Sequence, residues 1–149
     1  VAATKAALEE GIVPGGAIAL LDIATRMKTD PKVSRDEATG YEIVKNALEA
    51  PFKKLIENAG FDAGQLIAKA RSGASTGQGF DVLSLESAET ATPVDMLKAG
   101  IVDPLKVVRA AVQNAISVAT MILTTEVLIT DIPEKKETPP GMPPGGMDY

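Results

Sequence analysis

Asp103-Pro104-Leu105-Lys106-Val107-Val108-Arg109-Ala110-Ala111-Val112-Gln113-Asn114-Ala115-Ile116, running on to about Thr125, is the stretch that decides the fold class. Asp and Pro together open a helix. A carboxylate can accept from a free first-turn N–H, and the missing proline N–H costs little at the first position. The run that follows is apolar nearly all round, and Ala110, Ala111, Ala115 and Ala119 allow close approach. Such a helix is expected at the buried centre of its domain. Lys106, Arg109, Gln113 and Asn114 interrupt it, so a bilayer span is not expected here or elsewhere in the chain.

Upstream the pattern is helix after helix. One is expected over residues 1–10, stopped by Gly11, and a second over 17–28, with Ile18, Leu20, Leu21 and Ile23 apolar. A third over 37–50 has Ser34 or Asp36 as its cap; Pro51 then opens a separate helix whose inner face is Phe52, Leu55 and Ile56. A short helix follows over 63–71. Residues 72–79 are rich in Gly, Ser and Thr and read as loop, and 80–85 have β character enough for one arm of a hairpin. Thr92-Pro93 opens a small helix ending at Gly100.

Downstream, Val127-Leu128-Ile129-Thr130-Asp131-Ile132 is a strand-like run stopped by Pro133. A lone strand leaves its backbone groups unpaired. Its partner is expected in a missing segment or in another subunit. Residues 134–149 are Pro-, Gly- and Met-rich and are expected to form a flexible tail. The expected fold is therefore mainly α, with a short β-hairpin region and a C-terminal β-strand.

Composition narrows the function classes. Hydrophobic residues make up 45% of the 149 but aromatics only 3%, so the core must be built from Ala, Val, Ile and Leu. The net charge is −5, and the only basic runs are Lys53-Lys54 and Lys135-Lys136, which argues against nucleic acid as a partner. Without Cys there is no disulfide or thiol chemistry; without His the commonest general base and metal ligand is missing. Both fit a cytosolic protein. The first residues do not form a signal peptide, and the chain opens inside a helical pattern without an initiator Met, as a fragment would.

Gly11-Ile12-Val13-Pro14-Gly15-Gly16 precedes a helix. Glycines there let a ligand approach backbone N–H groups, or simply make a helix–helix turn. The segment is neither a P-loop nor a dinucleotide fingerprint. Asp103 has a capping role, and its second oxygen remains able to accept from a ribose hydroxyl. Glu86, Glu89 and Asp95 are scattered and read as a solvated face; Met142 and Met147 are hydrophobic stickers or inert.

Four blocks in fixed order resemble chaperonin-60, the GroEL/Hsp60 family. The 2–16 stretch is similar to the family's ATRAAVEEGIVPGGG, and Ala47-Leu48-Glu49-Ala50-Pro51 to its ALEAP. Gly100 to Val107 is similar to GIIDPTKV, and Thr124-Thr125-Glu126 through Pro133 to TTEVVVTDIP. The Gly141-Met142 to Gly146-Met147 tail resembles the family's Gly/Met-rich end.

The resemblance implies a piece of a group I chaperonin subunit: residues 1–10 the end of the intermediate domain, 11–133 the C-terminal half of the equatorial ATP-binding domain. It implies two stacked seven-membered rings, unfolded client proteins, a co-chaperonin lid and ATP-driven folding. By the same resemblance Gly16, with Gly15 beside it, lies against the nucleotide, Asp103 holds the ribose, and Ile101 packs on the adenine. Asp81 falls where many members have Asn at the adenine edge, although Gly79-Phe80-Asp81-Val82-Leu83 departs from the family's Gly-Tyr-Asn-Ala-Ala and stands further from Asp103 than is usual. The phosphate-binding loop, the magnesium ligand, the water-activating aspartate and the client-binding domain are expected in sequence before Val1. The chain alone is accordingly expected to be inactive toward ATP. The resemblance further implies a bacterial cytoplasmic protein, or one of a plastid or mitochondrial matrix. Two other readings stand beside it: a self-standing helical module that binds a partner through 127–132, and a small nucleotide-binding enzyme using Gly15-Gly16. The lack of His, of a phosphate loop and of clustered carboxylates counts against the second.

Overall fold

The computed structural model describes residues 1–72 and 76–132. In chain order the elements are α1 (Ala2–Glu10), β1 (Ile12–Pro14), α2 (Ile18–Arg26), α3 (Arg35–Asn58), α4 (Ala63–Ser72), β2 (Gln78–Gly79), β3 (Val94–Asp95), β4 (Val102–Pro104) and α5 (Leu105–Leu123). The fold is mainly α, as expected, with two small antiparallel ladders, β1 with β4 and β2 with β3.

α3 starts on a capping box. The Glu37 N–H donates to Ser34 Oγ at 3.2 Å, and the Ser34 N–H donates back to the Glu37 carboxylate at 2.8 Å. The expected break at Pro51 does not occur: α3 is one helix of 24 residues with Pro51 inside it. Proline removes one helical hydrogen bond there. Packing outweighs that loss, because Glu49, Phe52 and Ile56 on either side of the proline are all buried.

Those residues belong to the core. Ile18 and Leu21 of α2, Phe52 and Ile56 of α3, Leu66 and Ile67 of α4, and Phe80 and Met96 from the connecting segments form one buried cluster. The Phe52 and Phe80 rings lie 6.5 Å apart and tilted. Glu49 is 3% exposed, and its carboxylate pairs with Arg71 of α4 and with Lys53 at 3.6 Å. Its burial is thereby compensated by two cations and ties α4 to α3.

Between α4 and α5 the chain departs from expectation. Residues 80–85 form turns and no strand; the paired arms are Gln78–Gly79 and Val94–Asp95. The small helix expected over 92–100 is replaced by β3 and a turn. Met96 goes fully into the core, its N–H bonds the Gly77 carbonyl at 3.1 Å, and Asp95 takes the Lys98 N–H at 3.1 Å. A helix this short has too little propagation to outbid those bonds.

α5 corrects a further expectation. None of its residues is buried. It packs mainly on α1 and β4 and leaves Ile116, Met121, Ile122 and Leu123 exposed. Arg109 Nε donates to Glu10 of α1 at 3.0 Å, and Lys106 pairs with Glu9. By length and composition alone α5 does reach what a bilayer crossing requires, because Lys106 and Arg109 are its only charged residues. Residues 127–132 form no strand, and all are exposed. Among the described residues nothing offers them a ladder, so the run stays unpaired. The tail of 134–149, with Met142 and Met147, lies outside the described residues.

Candidate functional site

The β1–β4 ladder brings the two glycine- and aspartate-bearing motifs together. Its register pairs Ile12 with Pro104, Val13 with Asp103 and Pro14 with Val102. The pairing runs one step further, since the Gly15 N–H donates to the Ile101 carbonyl at 2.9 Å. A Cβ on Gly15 would stand 2.9 Å from Val102 N and 3.0 Å from the Ile101 carbonyl carbon. Only glycine allows that backbone approach.

Gly16 and Ala17 both take left-handed backbone, each with φ 63°. For Ala17 this costs about 1–2 kcal/mol. The turn feeds directly into α2 through an Ile18 N–H to Gly15 carbonyl bond of 3.2 Å. Among the described residues no acceptor meets the Gly16 or Ala17 amide. A Cβ on Gly16 would touch Met96 Cε at 3.0 Å, so the inner side of the turn is filled by Met96.

Asp103 does not cap α5. The capping position is Pro104, and no side chain bonds the helix start. The reason is competition: the Leu105 N–H already donates to the Gly11 carbonyl at 3.1 Å, extending the ladder. The half-buried Asp103 carboxylate consequently has no donor among the described residues. Strand alternation puts it on the same side as half-buried Ile101, with exposed Val102 on the other.

Asp81 stands apart from this group. Its carboxylate accepts the Leu83 N–H at 3.1 Å, and its carbonyl accepts from the Ser84 hydroxyl at 3.0 Å. It lines a cleft of about 260 Å³ with Ser84, Glu86, Thr90, Thr92 and Val94. Gly15, Gly16, Ile101 and Asp103 take no part in that lining. Val82 packs against the core, and so does half-buried Ile101. Among the described residues no three Asp or Glu side chains converge as a metal-binding group.

The electrostatics centre on the approach to the ladder. Arg109, hydrogen-bonded to Glu10, holds that carboxyl below its ordinary range, and Glu10 in turn raises the guanidinium. A further tie was invisible in the sequence: the Gly77 N–H donates to Asp22 of α2 at 2.7 Å, across the long 27–76 excursion of chain.

A model of the TCP-1/cpn60 chaperonin family matches residues 1–133. The chain belongs to this family. Among solved structures, it is similar to the open-state monomer of a group II chaperonin from Methanococcoides burtonii, with a TM-score of 0.66 and 24% identity. The match covers 76% of this chain and 28% of that one. At that identity the likeness speaks for the fold: a mainly helical piece of a chaperonin equatorial domain.

Proposed function

We propose that this chain supplies ring contacts and the base-and-ribose side of an ATP site in a group I chaperonin subunit that assists protein folding. The observation that carries the reading is the uncommitted Asp103 carboxylate, set by the ladder beside the Gly15–Gly16 turn. An acidic side chain that neither caps a helix nor pairs with a cation keeps both oxygens for a ligand's hydroxyl groups.

ATP with its magnesium would supply the phosphoanhydride bond and the neutralised phosphate charge. The work of this chain is binding and orientation. Asp103 accepts from the ribose, Ile101 offers an apolar surface to the base, and the Gly15–Gly16 backbone permits close approach. Phosphoryl transfer needs positioning and charge at the phosphates themselves. By the family resemblance those groups belong to sequence before Val1, so turnover is expected only from the full-length subunit. The group I assignment rests on the wording of the four motif blocks. Ring formation, the co-chaperonin lid and unfolded clients are proposed on the same footing, as is a location in the bacterial cytoplasm or an organelle matrix.

Binding of an ATP analogue to the full-length subunit tests the site. Asp103→Ala is expected to weaken binding at least about tenfold while leaving thermal stability nearly unchanged, because no cap is lost. Unchanged affinity would overturn the reading. The exposed 127–132 run favours a second reading, a strand-docking module without nucleotide. That reading is favoured if the subunit ignores adenine nucleotides yet loses a partner when Ile129→Pro is introduced.

A further inference from the structure

Asp22 and Arg26 stand one turn apart on α2 and reach the same turn of chain. Asp22 Oδ2 accepts the Gly77 N–H at 2.7 Å, and the Arg26 guanidinium donates to Thr76 Oγ1. Gly77 has φ 81°, and a Cβ there would stand 3.2 Å from Pro14 Cγ, so this turn is seated on the end of β1.

From Gly77 a chain of hydrogen bonds leads back to the glycine turn. The Gly77 carbonyl accepts the Met96 N–H at 3.1 Å, and the Met96 carbonyl accepts the Ile101 N–H at 2.9 Å. The Ile101 carbonyl accepts the Gly15 N–H at 2.9 Å, and the Gly15 carbonyl accepts the Ile18 N–H at 3.2 Å. Ile18 begins α2, from which Asp22 projects, so the circuit closes. Every link but one joins backbone to backbone. The carboxylate of Asp22 is the single link that a side-chain substitution can remove. Removing the acceptor leaves the partly buried Gly77 N–H without a partner, which is costlier than the net worth of the bond.

We propose that Asp22, supported by Arg26, is a positioning residue for the proposed nucleotide side formed by Gly15, Gly16, Ile101 and Asp103; this role rests on the nucleotide reading above. Asp22 acts through the Gly77 turn and the 96–101 segment. It fixes where the Ile101–Asp103 strand lies relative to the glycine turn, and small displacements of binding groups are costly.

The test compares Asp22→Ala with Asp22→Asn in the full-length subunit, by amide hydrogen exchange and by affinity for a fluorescent ATP analogue. Asp22→Ala is expected to speed exchange at Gly77, Met96 and Gly15 about tenfold, with α4 amides unchanged, and to weaken the analogue about tenfold. Asp22→Asn keeps an accepting oxygen and is expected to stay within about threefold on both readouts. Arg26→Ala, which leaves the Asp22 bond in place, is expected to move both in the same direction by less, and serves if Asp22→Ala does not fold. Unchanged exchange in Asp22→Ala overturns the proposal, and so does faster exchange with full affinity, which reduces Asp22 to a structural clamp. Equal losses in Ala and Asn variants also overturn it, because they would trace to charge rather than to the bond. If the unsubstituted subunit binds no analogue, the proposed function fails and the positioning role with it, while exchange still reports whether the clamp exists.

Discussion

The α2–α3–α4 half and α5 use similar apolar residues to opposite effect. Phe52, Ile56, Leu66 and Ile18 are each no more than 1% exposed, whereas Met121, Ile122 and Leu123 are 58%, 68% and 86% exposed. α5 has the more continuous apolar surface of the two, yet none of its residues is fully buried. The difference lies in the neighbours. α2, α3 and α4 meet one another across short connections, and Phe80 and Met96 fill the space between them. Among the described residues α5 packs mainly on α1 and β4, held by ion pairs in its first half. An apolar pattern thus states that a surface prefers cover and says nothing of where the cover comes from.

The sharpest way to break this contrast is truncation at matched chemistry. Phe52→Ala is expected to cost about 3–5 kcal/mol in denaturant unfolding, while Ile122→Ala costs less than about 0.5 kcal/mol. Comparable losses at the two sites would show that α5 is covered in solution.

Overfilling the packed half comes next. A Cβ on Gly79 would stand 2.8 Å from Ile18 Cδ1 and 2.9 Å from Met96 Sδ, both core atoms. Gly79→Ala is therefore expected to destabilise by about 1–3 kcal/mol, read from the unfolding midpoint. Gly40, with nothing within 4 Å of its would-be Cβ, is the control: Gly40→Ala at this exposed position of α3 is expected to stabilise.

At the junction of the two regions, Ala17 holds left-handed backbone. Ala17→Gly is expected to raise stability by about 0.5–1 kcal/mol, since relief of strain is partly offset by a freer unfolded chain.

The smallest effect is electrostatic and belongs to the α1–α5 side. Arg109 holds Glu10 below the ordinary carboxylate range, and backbone N–H donors do the same for Glu37 and Asp95. A carboxyl lowered in the folded state stabilises above its unfolded pKa, and that contribution fades as pH falls through the folded value. Stability is expected to decline as pH drops through and below the ordinary carboxylate range. Glu10→Gln is expected to flatten that decline slightly, as a thermal melt series would show, and a steeper decline would contradict the assignment.

Much of the fold was legible in sequence. The helices over 1–10 and 63–71 and the buried faces of Phe52 and Ile56 followed from local pattern, and of the two candidate caps, Ser34 and Asp36, the structure uses Ser34. Of the candidate site, Gly15, Gly16, Ile101 and Asp103 were expected together from the resemblance, and the ladder sets them side by side. Asp81 was grouped with them by resemblance but lines another cleft. Asp103 was read as a cap because its local sequence is that of a cap. The rival for the first helix amide is the Gly11 carbonyl, a distant residue that no local reading finds. Pro51 misled for the same reason, since the contacts that carry α3 through it come from α2 and α4.

By itself the sequence determined the mainly helical class, the capped start of α3, and the need for glycine where backbone must come close. These depend on residues within a turn or two of one another, whose sterics and hydrogen bonds are local. Tertiary structure alone decided the β1–β4 register, the freedom of Asp103, the Asp22–Gly77 bond and the exposure of α5. Each of those depends on which distant group arrives first at a given donor, acceptor or apolar face, and periodicity along one segment carries no record of its partner.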